Sequence, residues 1–304
     1  MALSKQDIMR VKLMGFLHNR DTDMFSCRVI TGNGTLTAKQ LQAVGQIAEK
    51  YGNGTCAFTT RMTVEFAGVP YDKIDEVVAE LAKYDLTTGG TGAKVRPVTA
   101  CKGTTCVFGF YDTQALGQKV HDRFYVGMGN VRLPHKFKIA VGGCPNNCIK
   151  PDLNDFGIVG QHPPKLHEEL CKGCKLCEKF CRMGCMKVVD KKMQRDTSIC
   201  NNCGYCVGKC PFNAIYSEQV AYKLYIGGRW GRVTRHGTAL PGLYTEEQAL
   251  DMIEKAMLLF RDQGKKGERF AAMIDRIGED KAVDMMLNGD LMERKEEILS
   301  KEIV

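Results

Sequence analysis

The sequence predicts an α+β fold with a cysteine-rich insertion, on three observations. Strand-like and helix-like periodicities alternate through the first 88 residues. Two further strand-like stretches, Phe156–Gly160 and Val220–Ile226, flank a segment with few long apolar runs. That segment, Leu166 to Ser217, holds nine of the 15 cysteines. Three units are therefore expected. Residues 1–88 form a small α+β sandwich, residues 89–161 with 219–304 form a larger domain, and residues 162–218 are inserted into it.

The elements are read in chain order. Val11–Leu17 and Met24–Ile30 look like strands. Thr37-Ala-Lys-Gln40 is a capping box, and Leu41, Val44 and Ile47 then share one helical face. Gly52 to Gly54 supplies a turn. Cys56–Val69 reads as one strand. Its apolar face would be Cys56, Phe58, Met62, Val64 and Phe66, and its polar face Thr59, Arg61, Thr63 and Glu65. Asp72 is expected to cap a helix that points Ile74, Val77, Val78 and Leu81 inward. Gly89-Gly90-Thr-Gly92 marks a boundary, and His162-Pro-Pro164 opens the insertion. Thr245 and Gln248 form a second capping box ahead of Leu250, Ile253, Met257 and Phe260. Two short amphipathic helices between Glu268 and Val304 complete the chain, with methionines as core filler.

Composition narrows the class. With 304 residues, 44% hydrophobic and 26% charged, the chain can bury a sizeable core. No apolar run approaches a membrane span, and MALSKQDIMR lacks the apolar core of a signal peptide. An odd cysteine count with tight C-x-x-C spacing argues for thiolates that bind metal in a reducing cytoplasm. The net charge of +8 suits nucleic acid, an acidic partner or a bound polyanion. The basic patches lack interleaved aromatics and no helix carries a basic stripe, which disfavours nucleic acid.

Two cysteine runs carry the strongest signal. Cys171, Cys174, Cys177 and Cys181 have x2, x2 and x3 spacing, and so do Cys200, Cys203, Cys206 and Cys210, the last followed by Pro211. Three closely spaced thiolates fold around one corner of a cubane while the fourth reaches a second cluster, the bacterial two-cluster ferredoxin pattern. By that pattern Cys171, Cys174, Cys177 and Cys210 bind one [4Fe–4S] cluster, and Cys200, Cys203, Cys206 and Cys181 the other. A pair of zinc sites is the weaker alternative. Arg182 rather than proline follows Cys181, and Cys185 reads as packed core. A separate set, Cys101-x4-Cys106 with Cys144-x3-Cys148, also suffices for a [4Fe–4S] cluster. A radical S-adenosylmethionine site would need a third cysteine where Pro151 stands. Cys27 and Cys56 read as small hydrophobes.

The basic residues form three groups. Arg61 sits at the centre of its strand's polar face. Lys136 and Lys138 share one face while Phe137 points the other way, so their repulsion needs solvent or an anion to offset it. Gly227-Gly-Arg-Trp-Gly-Arg-Val-Thr-Arg-His236 adds three arginines in a glycine-rich frame suited to carboxylates.

Arg61 in Thr59-Thr-Arg-Met-Thr63, Arg96 in Val95-Arg-Pro-Val-Thr-Ala-Cys101, the Lys136-Phe-Lys138 pair and the Cys101/Cys106/Cys144/Cys148 set resemble the siroheme-dependent sulfite and nitrite reductases. The two cysteine runs resemble the branch of that family with an inserted two-[4Fe–4S] ferredoxin. The resemblance implies a reductase half-unit: a ferredoxin-like N-terminal domain, a siroheme and [4Fe–4S] domain, and the inserted ferredoxin. It implies siroheme and three clusters, one of them coupled to siroheme through the Cys148 sulfur. It makes Arg61, Arg96, Lys136 and Lys138 the substrate-site cations. Arg229, Arg232 and Arg235 become candidates for siroheme carboxylates, and Lys102, Asn146 and Asn147 for further cofactor contacts. The implied reaction is sulfite to sulfide by six electrons, wired through the ferredoxin. Siroheme nitrite reduction and a non-catalytic electron-transfer subunit are the alternatives. No dinucleotide-binding glycine motif is present, so iron–sulfur and flavin partner subunits are implied. Large relatives hold two homologous halves and this chain has one, so a homodimer or larger complex sharing its active sites is expected.

Overall fold

In the computed structural model, which describes residues 3–303, chain order is set first by local capping. Ser4 accepts from the Asp7 N–H and starts α1 (Lys5–Leu13), so the stretch expected as a strand from Val11 is helical, with Val11 facing the core. Strands β1 (Phe16–His18) and β2 (Met24–Val29) follow. Thr37 and Gln40 close the expected capping box on α2 (Ala38–Tyr51). Val44 and Ile47 are buried on it, whereas Leu41 is exposed.

The expected strand Cys56–Val69 is two strands. β3 (Cys56–Phe58) and β4 (Val64–Pro70) form a hairpin, with Phe58 opposite Val64. Thr59–Thr63 is its turn, closed by Thr59 N–H donating to the Thr63 carbonyl at 2.9 Å. Met62 there adopts φ +57°, the left-handed region. The predicted face alternation therefore ends at Phe58, which is exposed. Asp72 lies in a 3-10 turn, and α3 (Ile74–Ala82) starts at Lys73 without a side-chain cap. The antiparallel sheet has order β1-β2-β4-β3. Phe16, Phe25, Val44, Phe66 and Leu81 are among the residues of its closed apolar core.

A second sheet, order β13-β12-β7-β6-β5, organises the remainder. Its strands are β5 (Thr99–Ala100), β6 (Ile139–Gly142), β7 (Phe156–Gln161), β12 (Ala221–Ile226) and β13 (Thr238–Ala239). β5, β6 and β7 run parallel, and β12 returns antiparallel beside β7. Helix α4 (Thr113–Val120) runs on into a π turn, His121–Val126. The second capping box, Thr245 with Gln248, starts α6 (Glu246–Gln263). Three helices follow rather than two: α7 (Phe270–Ile277), α8 (Glu279–Leu287) and α9 (Lys295–Ser300). Ile253, Met257, Phe260, Phe270, Met273 and Met286 are fully or almost fully buried against this sheet's core.

Between β7 and β12 the chain makes its cysteine-rich excursion. It contains only short elements: β8 (Lys165–Leu166), α5 (Leu176–Phe180), β9 (Met186–Val189), β10 (Lys192–Arg195) and β11 (Ile215–Tyr216). Its buried centre is six residues, two of them Cys185 and Cys206. An apolar core that small is a weak support for a segment of this length. Among the described residues no helix is long and apolar enough to cross a membrane.

Candidate active site: cations at one end of a sheet, thiols at the other

The N-terminal ends of β5, β6 and β7 gather positive charge. The parallel ladder extends below β5 and β6 through the Val95–Phe137 bridge, with the Arg96 N–H donating to the Phe137 carbonyl at 2.8 Å. Val95 and Phe137 are buried, so Arg96, Lys136 and Lys138 lie on the opposite face. The hairpin turn brings Arg61 to the same place. Its fork donates to the Pro97 and Ile139 carbonyls and, at 2.7 Å, to Asn154 Oδ1. Arg96 donates to the Gly90 carbonyl, but its Nε is buried with no hydrogen-bond partner.

One carboxylate answers this charge. Asp155 is fully buried at the start of β7, accepts the Lys138 N–H at 2.9 Å, and pairs with Arg269 at 3.1 Å. Arg269 is a fifth cation of the site that sequence spacing gave no reason to select, and its Nε is also unpartnered. Electrostatics follow from crowding. Burial, then the Arg61 charge, depresses the Lys138 ammonium to about 8. Lys136 is lowered by burial and by Arg269 and Arg96. Burial takes Arg61 and Arg96 each to about 10, so both stay charged at neutral pH. Burial also raises Asp155 against the pull of Arg269. Five half-buried cations around one buried carboxylate are costly unless an anion joins them.

The C-terminal ends of the same strands carry thiols. Cys101 follows β5, and Cys144 follows β6 by two residues. The Gly143 N–H donates to Cys101 Sγ at 3.1 Å, joining the two loops. Cys106 is held near them by the close packing of glycines: a Cβ on Gly109 would lie 1.9 Å from the Gly103 carbonyl oxygen. Cys148 is exposed on the crossover that leads from β6 back to the start of β7. Asn147 there takes φ +55°, donates to Asp152 at 2.6 Å, and keeps its Oδ1 buried without a partner. Lys102 and Asn146 are exposed beside these cysteines.

The three loop arginines after β12 diverge. Arg235 is spent inside the fold, paired with Asp275 and Glu279, each at 2.7 Å. Arg229 donates to the Val233 carbonyl, and Arg232 is exposed at the loop tip. Trp230 lies exposed beside them under the Lys150 ammonium, 5.3 Å from its ring centre.

The cysteine-rich excursion holds two separate cavities. Cys171, Cys174, Cys177 and Cys210 line one, with Cys206 and the apolar side chains of Leu176, Phe180 and Ile215. Cys181, Cys200, Cys203 and Cys206 line the other, with Cys185. These are the crossed sets of four, the last cysteine of each run facing the cavity of the other. The two cavities together with their open mouths span about 370 and 310 Å³ free of protein atoms, open solvent included. Among the described residues no three Cys, His, Asp or Glu side chains converge on a single ion. A cubane sets its thiolates wider apart than one ion does, so thiols spread around cavities of this kind fit clusters.

Comparison with known proteins decides the family. Residues 91–289 match the nitrite and sulphite reductase 4Fe-4S domain, and residues 18–84 match the nitrite/sulfite reductase ferredoxin-like half domain. The chain belongs to the nitrite and sulphite reductase family. It is 30% identical over 273 residues to the coenzyme F420-dependent sulfite reductase of Methanocaldococcus jannaschii, covering 89% of this chain and 42% of that one. It is 29% identical over 197 residues to a subunit of the anaerobic sulfite reductase of Salmonella typhimurium, covering 59% of this chain and 56% of the other. The chain thus spans only about half of each of these reductases. The solved structure of the NirA protein of Mycobacterium tuberculosis superposes with a TM-score of 0.68 at 16% identity, over 99% of this chain and 48% of that one.

Proposed function

We propose that this chain is the catalytic subunit of an anaerobic or dissimilatory-type sulfite reductase that takes sulfite to sulfide with six electrons. The observation that carries the proposal is the under-neutralised cation group around Lys138, in a chain of this family. Siroheme coupled to a [4Fe–4S] cluster would supply the electrons and an open iron face for the oxyanion. Everything else is the work of side chains. Lys136 and Lys138 have no hydrogen-bonding partner at their ammonium groups among the described residues, and Arg96 has a free Nε. These three hold the anion and stabilise charge that develops on it. Lys138, depressed to about 8, can also give up a proton near neutral pH as each oxygen leaves as water. Arg61, its fork engaged by carbonyls, holds the β3–β4 turn against the sheet and adds charge. Cys101, Cys106, Cys144 and Cys148 would hold the siroheme-linked cluster, with Cys148 bridging. Arg229 and Arg232 remain available to siroheme carboxylates.

The electron route has structural support. One cleft is walled by Cys144, Pro145 and Asn146 on one side and by Cys203, Gly204 and Tyr205 on the other. Arg182 spans it, 4.6 Å over the Tyr205 ring and 5.9 Å over Phe108. A cluster held by Cys181, Cys200, Cys203 and Cys206 would then be the one next to the Cys144–Cys148 loop, the catalytic loop of this proposal. Electrons reach the Cys171 cluster first, from iron–sulfur and flavin partner subunits.

The separation of cations and thiols supports a shared site. β6 alone puts roughly 13 Å of extended backbone between Lys138 and Gly142. A homodimer would pair the cations of one subunit with the thiols of its neighbour. The deciding tests are two. Acid–acetone extraction of anaerobically made protein should yield siroheme; iron and sulfide without it would leave an electron-transfer subunit. Co-expression of Lys138→Met and Cys148→Ser chains should restore activity that neither has alone, because one site in each mixed dimer is intact. No recovery would place each site within one chain. Comparing sulfite with nitrite turnover separates the sulfite reading from siroheme nitrite reduction.

A further inference from the structure

The cavity next to the catalytic loop is lined by one thiol too many. Beside Cys181, Cys200, Cys203 and Cys206 stands Cys185. It is 4% exposed, and its Sγ lies 3.3 Å from Cys181 Sγ.

The two neighbouring thiols arrive from different elements. Cys181 ends α5, with its N–H bonded to the Cys177 carbonyl. Cys185 is anchored by the β9–β10 hairpin, where its carbonyl accepts the Asp196 N–H at 2.8 Å and Met186 pairs with Arg195. Between them Gly184, at φ +66°, turns the chain sharply. The two anchors lie on different elements, joined across the turn by the Gly184 N–H donating to the Cys181 carbonyl at 3.1 Å, so one sulfur can move off the cavity while the second stays.

We propose that Cys181 and Cys185 are alternative fourth ligands of the cluster in this cavity, Cys185 taking the iron when Cys181 releases it. This rests on the two-cluster reading given above. The exchange balances without a redox partner. The Cys181 Sγ–Fe bond breaks, the Cys185 Sγ–Fe bond forms, and one proton passes from the Cys185 thiol to the Cys181 sulfur across the 3.3 Å between them. The iron keeps its valence and the cluster keeps four thiolates. The cluster that hands electrons to the catalytic loop is thereby protected against loss of a single ligand. Among the described residues the one further thiol lining the cavity around Cys171, Cys174, Cys177 and Cys210 is Cys206, which the other cluster already uses.

The test uses full-length protein made anaerobically, wild type beside Cys181→Ala, Cys185→Ala and the double variant. Iron and acid-labile sulfide are counted per chain, and the reduced proteins are examined by EPR. Both single variants should keep the wild-type iron, with altered g-values in Cys181→Ala only, and the double variant should lose about four irons. Loss of about four irons in Cys181→Ala alone would overturn the proposal. A second measurement leaves every primary ligand in place: Cys185→Ala should release iron to a chelator under air several-fold faster than wild type. Equal rates would also overturn it. Wild-type protein holding no more than about four irons would overturn the two-cluster reading itself, and this proposal with it.

Discussion

The two ends of the central sheet are built on opposite principles. At the N-terminal ends of β5 to β7 the protein does its own organising. Arg61 is tied to two carbonyls and to Asn154, and Asp155 is fixed by Arg269 and the Lys138 N–H. At the C-terminal ends the cysteines sit in glycine-lined loops, and Cys148 is exposed. One end is pre-organised for an anion before any ligand arrives. The other is a set of thiols whose final arrangement, on the reading proposed above, a cluster would impose. Cation geometry should therefore survive loss of metal, and thiol geometry should not.

Four experiments break or sharpen this contrast. The largest effect is expected from Cys148→Ser. Reductase turnover should fall below detection and siroheme–cluster electronic coupling should vanish, while thermal unfolding of the rest of the chain changes little. Surviving coupling would remove Cys148 from its assigned place. Next is Lys138→Met, which should lower kcat/KM by about 10²–10³, as for loss of one oxyanion donor, with iron content unchanged. A fall in iron content would show that the two ends are not independent.

Third is Asp155→Ala, which strips the cation group of the buried carboxylate it surrounds. Stability should drop by about 3–5 kcal/mol in denaturant titration, the cost of leaving a buried charge uncompensated. Added sulfite should recover part of the loss, because an anion that binds only the folded chain stabilises it. The smallest effect is the pH response of Lys138. Its folded value of about 8 lies below the ordinary lysine value. The protonated form binds the anion, so kcat/KM should decline as pH rises through about 8. Ligand-free stability should move the other way. Above about 8 the unfolded chain retains a proton that the folded one has released, so stability gains as pH climbs towards the ordinary value. Lys138→Met should flatten both trends.

The sequence was most readable where chemistry is local. The two cysteine runs each lie within about a dozen residues, so spacing alone assigned the crossed sets that line the two cavities. The alternation of Lys136, Phe137 and Lys138 was equally plain, because a strand fixes its faces. Arg61 was visible as a residue but not as a turn. Thr59-Thr-Arg-Met-Thr63 has no glycine, proline, asparagine or aspartate to announce a reversal, and methionine is a poor marker for the left-handed conformation it adopts there. Helix α1 carries a signal in Ser4 and Asp7, a capping pair that lies ahead of the stretch read as a strand. Arg269 and Asp155 had none: 114 residues separate them, and only tertiary folding makes them a pair.

The register of β7 and β12 carries one more consequence. Gln161 and Ala221 are direct cross-strand partners, and beyond them lies the entire cysteine-rich excursion. A hairpin joined at that pair needs only a tight turn of about two residues. The excursion is thus a graft on a joint already closed by the sheet beneath it. Excising residues 162–220 and splicing in Asn-Gly should leave both sheets intact and give a shorter protein without the two thiol-lined cavities. The same joint is a ready socket for a different inserted module.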